Sequence, residues 1–453
     1  MNAAAGLLRQ RLPWGDPWRL AQALAASFGA EGLVWLDGDG SAQGQRSCLG
    51  VAPLETRTCR GLPGDAGAAD PFELLAELAQ RAKAGEAWLG WLGYEAGAWV
   101  EPAQHWQRPG MALLWAARFD PLLHWDHGRR ELWLEGRDQA RLQHVAAALE
   151  AALQGHDQRP AATGADGLGL APQQWHWHTT QAGFAAQVER IRAWIAAGDL
   201  FQANLSACCS AELAAPPAPA ELLALYGRLR RHCPAPFAGL AIGSGGAGGE
   251  AVLSASPERF LRLSPEGRVE TRPIKGTRPR HSDPEADAEA AADLVCSPKD
   301  RAENVMIVDL LRNDLGRVCS PGSIQVPQLL GLESYRQVHH LTSVVEGQLA
   351  PGRNVVDLLR ACWPGGSISG APKLRALQRL NSLEPLPRGP YCGSLFHLQA
   401  GGGFDSSILI RTVLQQGRTL RVHAGCGIVA DSDPAGEAEE LGWKLQPLLE
   451  ALA

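Results

Sequence analysis

The chain has 453 residues, is 45% hydrophobic and 20% charged, and carries a formal net charge of -6. That length suits two ordinary domains or one large intertwined fold, and the mildly acidic balance argues against nucleic-acid binding. No secretory signal is legible at the N-terminus and no apolar run of about 18 residues predicts a membrane span, so a cytoplasmic protein with no membrane partner is expected. The ten cysteines are scattered, with only Cys208 and Cys209 adjacent and no CxxC pair. Zinc wants paired ligands at short spacing, so the cysteines read as free, mostly buried thiols of a reducing compartment.

Residues 1–152 read as a mixed N-terminal region, and ten of the 15 tryptophans fall in it. Helical spacing appears over 18–28 and 71–79. Residues 32–36 and 131–134 read as strands ended by turn residues, and 86–95 as an apolar, glycine-punctuated buried strand. The tryptophans are most simply core. From 153 to 172 the periodicity stops and Gln, Gly, Ala, Pro and Asp take over, which predicts a linker or long loop. A second region, 173–453, follows.

Here the spacing predicts a helix over 180–195, a strand over 200–206, a helix over 219–231 and a strand over 237–242. The glycine-rich turn 243–249 has no lysine after it and is not a Walker-type phosphate loop. Residues 251–260 and 268–275 predict strand–turn–strand. Antiparallel hairpins of this kind favour α+β over a doubly wound parallel sheet. Thr271–Arg280 holds Lys275, Gly276 and Thr277 between two prolines and three arginines. Pro273 favours an extended approach, and Gly276 lets the backbone come close to a ligand. An amine beside free backbone donors can meet an anionic small molecule, although the decapeptide alone reads equally well as a basic strand end.

A helix is expected from Ser297, its N-cap, with Pro298 at the first position, to Leu315. Val305, Val308, Leu311 and Leu315 form its expected buried stripe, and Asp300 and Glu303 share another face. A last helix is capped by Asp433 and begins at Pro434, with Glu437, Glu440 and Lys444 on one face. First-turn carboxylates commonly serve the helix dipole. Two such pairs can instead share a hard cation, and all-oxygen ligands suit Mg²⁺. Between these helices, 366–373 reads as an anion-friendly turn leading into a helix. Residues 406–413 and 420–429 read as strands. Arg411 interrupts the first of these, so its guanidinium needs a partner or a cavity, and a carboxylate ligand is the natural one. His340 is a candidate acid or base.

Taken together, the motifs Phe201–Ser206, Ser256–Phe260, Pro273–Arg278, Glu303–Arg317, His340–Ser343, Ser369–Lys373, Gly425–Val429 and Glu437–Glu440 resemble those of the chorismate-utilising enzymes. The resemblance is strong from about 180 to 450. It implies an α+β fold like that of anthranilate synthase component I, with two intertwined subdomains built on antiparallel sheets flanked by helices. It implies Mg²⁺ held by Glu303 and Glu440, with Asp300 and Glu437 nearby or through water. Arg411, Tyr391 and the Gly427 amide would hold the enolpyruvyl carboxylate of chorismate. Gly276 and Thr277 would contact the ring carboxylate, His340 would lie beside the ring, and Lys444 would join the substrate-binding set. Lysine at position 275, where anthranilate and isochorismate synthases usually have alanine, resembles the aminodeoxychorismate synthase branch, which serves p-aminobenzoate and folate synthesis. There neutral Lys275 attacks C2 and the 4-hydroxyl leaves with help from Glu258. Ammonia then expels the lysine. No glutaminase nucleophile motif is present, so ammonia from a separate glutamine amidotransferase subunit is implied. The alternatives are anthranilate synthase component I and a non-catalytic, partner-binding relative. Two departures from the family stand out. Cys208-Cys209 replaces a frequent arginine, and Leu36-Asp37-Gly38 has glycine for serine, so no tight tryptophan feedback site is expected.

Overall fold

The computed structural model describes residues 6–103, 105–154 and 170–453. The expected linker 153–172 lies mostly outside the described residues. The strands form two antiparallel sheets, of twelve and ten strands among the described residues; His176–Trp177 lies off the path of the first, beside 202–212, and Gln325–Ser334 off that of the second, beside 338–348. The first runs in the order 8–12, 131–136, 122–126, 46–50, 34–37, 237–242, 250–256, 412–416, 419–428, 202–212 and 370–371. The second runs 274–279, 338–348, 268–271, 259–263, 404–408, 394–399, 87–92, 114–119 and 55–59. Both mix strands from before and after the 153–172 segment. Val34–Asp37 pairs with Phe237–Ile242, and Ala87–Leu92 with Ser394–Gln399. This is an α+β architecture, as expected.

Each sheet buries one face under helices. Pro17–Phe28, Gln139–Leu153, Gln181–Ala196, Pro219–His232 and Pro434–Leu452 contribute to one core, which contains Trp35 and Trp125. Pro71–Arg81, Pro298–Gly316 and Val355–Cys362 contribute to the other, with Trp88, Trp91 and Trp115. The tryptophans of the first region are therefore largely core. Among the described residues no helix is long and apolar enough to cross a membrane.

Several expectations need correcting. The apolar run 406–413 is not one strand. Phe404–Ile408 belongs to the second sheet and Thr412–Gln416 to the first. The chain crosses between the sheets at 409–411, where Arg411 has a φ of 50°, a left-handed conformation uncommon for a residue with a side chain. On the helix Pro298–Gly316, Val305 is 38% exposed. The buried face is made by Asn304, Ile307, Val308, Leu311, Asp314 and Leu315, and Asn304 is satisfied there by the Leu341 carbonyl and the Ser343 hydroxyl. The helix Pro284–Cys296 escaped the sequence reading because it buries only Leu294 and so lacks an apolar stripe.

Candidate active site

The site lies where the two sheets and the two capped helices meet. Ser297 accepts a hydrogen bond from the Asp300 amide (3.3 Å), and Asp433 accepts one from the Gly436 amide (2.8 Å). Both helices therefore begin where the sequence placed them. Their first turns bring carboxylates toward the strand that carries Lys275.

Lys275 lies on Ile274–Pro279, and its Nζ stands 4.0 Å from Oε2 of Glu303. Gly427, on Thr419–Ile428, faces the same space. A methyl group added there would sit 2.5 Å from Gln202 Nε2 and 3.3 Å from both Glu303 Oε2 and Lys275 Nζ. Four elements thus converge on one small volume. Burial raises the Glu303 carboxyl above its usual range, against the opposing pull of Lys275 and Lys299. Glu440 goes the other way. Burial acts to raise it, but Lys444, Lys299 and Lys275 together hold it below the usual range. Glu437 is buried and accepts from Lys299 Nζ (3.1 Å) and the Ser432 hydroxyl (2.7 Å). Asp300 turns to Arg278 (3.2 Å) and packs beneath Gly276. Among the described residues, Cys426 Sγ and carboxylate oxygens of Glu437 and Glu440 lie within 4.8 Å of one another, while Glu303 stands outside that group and feels the Glu437 charge. The two carboxylates suit a hard divalent cation, whereas the Cys426 thiol, which burial pushes up to about 12, is not a ligand of that kind.

Gly276 has a φ of 87°, and a Cβ there would meet Leu294 Cδ1 at 2.7 Å and Asp300 Cβ at 2.9 Å. Both strain and crowding oppose a side chain. Gly276→Ala should therefore cost about 1–3 kcal/mol of stability, read as a lower denaturation midpoint; an unchanged midpoint would refute this account. Thr277 Oγ1 lies 2.9 Å from His340 Nδ1, its cross-strand partner. Burial pushes the His340 imidazole down to about 3, and Arg411 adds to this, so the ring is neutral at physiological pH. Glu258 is buried, and burial raises its carboxyl to about 7 against the opposing effects of Ser367, Lys275 and the Ile274 amide.

Tyr391 is buried and stacks on His423, with ring centroids 4.7 Å apart. Its hydroxyl lies 3.4 Å from that of Ser206. Burial lowers the Arg411 guanidinium below its ordinary range, Cys233 opposing. Among the described residues no carboxylate pairs with it. Lys444 directs its ammonium to the Gly425 carbonyl (2.9 Å) and Glu440 (2.7 Å). Lys373, at the end of the expected anion turn, is tied to Asp314 (2.5 Å) and the Cys362 carbonyl (3.1 Å).

Sequence reasoning gave no binding or structural role to three groups. Gln202 is 1% exposed, and neither polar atom of its amide has a partner. A buried amide left open this way calls for a ligand or water. Lys299 sits in the first turn of a helix, where a cation opposes the dipole; that anomaly was the available signal for nearby carboxylates. The third is a buried ion pair, Arg388 with Glu384 (2.6 Å). At the feedback-site motif, Asp37 accepts from Arg230 and from the Tyr226 hydroxyl (3.1 Å). Gly38 packs against the backbone carbonyls of Gly44 and Arg46, with no room for a side chain.

The model of the chorismate binding enzymes matches residues 41–450, and the chain belongs to that family. It is 44% identical over 279 residues to aminodeoxychorismate synthase component 1 of Salmonella typhimurium, a match covering 61% of this chain and 59% of that protein. Anthranilate synthase component 1 of Streptomyces coelicolor is 41% identical over 381 residues, 80% of this chain and 71% of that protein. The crystal structure of anthranilate synthase component I from Streptococcus pneumoniae superposes with a TM-score of 0.71 at 28% identity, covering 89% of this chain and 92% of that one.

Proposed function

We propose that this chain is the chorismate-converting component of an aminodeoxychorismate synthase, making 4-amino-4-deoxychorismate from chorismate and ammonia. The relatives include both aminodeoxychorismate and anthranilate synthases at similar identity, so overall likeness does not choose between them. The observation that carries the choice is Lys275, an amine 4.0 Å from Glu303 and facing Gly427.

In this reading Arg411 and Tyr391, with the Gly427 amide, hold the enolpyruvyl carboxylate, while Gly276 and Thr277 contact the ring carboxylate. Neutral His340 lies beside the ring. Neutral Lys275 adds through Nζ to C2, the ring double bonds shift, and the 4-hydroxyl leaves as water, taking its proton from Glu258. Ammonia then adds at C4, the double bonds shift back, and the C2–N bond breaks to return the lysine. The covalent step divides one hard substitution into two easier ones. Mg²⁺ held by Glu303 and Glu440, with Glu437 and Asp300 behind them, would neutralise the ring carboxylate. Ammonia would come from a separate glutamine amidotransferase subunit, in the cytoplasm.

The test is product identification by mass spectrometry after incubation with chorismate, Mg²⁺ and ammonium. Aminodeoxychorismate is expected; anthranilate would sink the assignment. A pH profile adds a second check. Glu258 is protonated below about 7 and donates only in that form. Because the same step needs Lys275 as the free amine, whose share grows with pH, the log-rate profile should show a bend to lower slope as pH rises through about 7, the Glu258 limb. Glu258→Gln should remove this limb along with most of the activity, and a limb that survives the substitution would assign the acid elsewhere.

A further inference from the structure

The turn that delivers Tyr391 is held from beneath by a residue of the N-terminal region. Glu95 follows the strand Ala87–Leu92, in the short helical turn Tyr94–Trp99, and is 1% exposed. Its Oε1 accepts from the Arg388 amide (2.7 Å) and its Oε2 from the Gly389 amide (3.0 Å). The Tyr94 amide donates to the Gly389 carbonyl (2.8 Å). Arg388 carries the constraint outward. Its guanidinium donates to the Ile368 carbonyl (2.9 Å), the Asn204 carbonyl (2.7 Å) and both oxygens of Glu384 (2.8 and 2.6 Å). Glu384 in turn accepts from the Ser206 amide (2.9 Å). Ser206 is the residue whose hydroxyl faces Tyr391. One buried carboxylate thus fixes the backbone from which Tyr391 projects, and through Arg388 it fixes the strand on the other side of that phenol.

We infer that Glu95 is a positioning residue for substrate binding, acting through the Arg388–Tyr391 turn. The inference rests on the proposed site, in which Tyr391 holds the enolpyruvyl carboxylate. Both carboxylate oxygens of Glu95 accept from the turn. A glutamine oxygen at the Oε1 position keeps the Arg388 contact and a longer one to Gly389 (3.3 Å), but its NH₂ replaces the acceptor that holds the Gly389 amide at 3.0 Å. The enolpyruvyl carboxylate does not react, so its misplacement weakens ground state and transition state alike, raising KM rather than lowering kcat.

The experiment combines Glu95→Gln with Tyr391→Phe, each alone and together. Chorismate Kd is measured by isothermal titration calorimetry with Mg²⁺, and KM, kcat and product are measured with ammonium added. Measured at a pH above the value of about 7 to which burial raises the Glu95 carboxyl, so that it is ionised, Glu95→Gln should weaken chorismate binding about tenfold, the scale of one lost hydrogen bond to a charged group, with kcat within about twofold. Tyr391→Phe should act in the same direction. The double variant should be no worse than the weaker-binding single one, because both changes break one chain of contacts. Multiplying effects, or an E95Q protein that binds chorismate like wild type, would overturn the inference. Should E95Q fail to fold, Glu95→Asp, which withdraws the carboxylate by one methylene, carries the same readouts. Anthranilate as the product would defeat the proposed function and leave the Glu95 result standing, since that result is read from binding.

Discussion

Lys275→Ala should lower aminodeoxychorismate formation by at least about a thousandfold, the scale of losing a nucleophile on which a covalent step depends. The fold should be little affected, because Lys275 is one of several charges at the site and makes no hydrogen bond among the described residues. The decisive measurement is intact-protein mass after exposure to chorismate and Mg²⁺ without ammonia. Wild type should gain the mass of chorismate less water, and the alanine variant should gain nothing. Ammonium should then discharge the adduct and release product. An alanine variant that retains activity would make the lysine a bystander.

The largest expected effect on stability lies away from the reacting groups. Arg388 is 2% exposed and is neutralised by Glu384. Glu384→Ala leaves a buried guanidinium with only two carbonyls and strips the Ser206 amide of its acceptor. Breaking a buried pair from one side costs about 3–5 kcal/mol. The exposed pair Arg312–Asp309, with side chains 53% and 64% accessible, is the control. Asp309→Ala should cost less than about 1 kcal/mol. Urea titration of both variants checks the contrast, and equal midpoints would contradict it.

Local signals were legible where one segment contained both halves of an interaction. Ser297-Pro298 and Asp433-Pro434 each cap and start their helices in sequence, and the structure begins both helices there. Signals failed where the partner lies far along the chain. Glu95 and Arg388 read as unrelated charges until the fold joins them. The run 406–413 hid a crossing between sheets, because the residues on both sides of the crossing are buried and Ile408, Leu409 and Ile410 carry the apolar pattern straight across it. Carboxylate pairs at i, i+3 located the two helices of the site. They did not show that Asp300 answers Arg278 while Glu303 faces Lys275.

The mixed strand order also bears on how the protein comes off the ribosome. Ala87–Leu92 sits inside a sheet, between Leu114–Phe119 and Ser394–Gln399. Until synthesis reaches the latter strand, one edge of an almost wholly apolar segment has no partner. Closing that gap brings together parts of the chain far apart in sequence, which slows folding and exposes sticky edges meanwhile. The nascent chain is therefore a natural client for chaperones. Fragments ending before residue 394 should aggregate rather than yield a half-sized working domain.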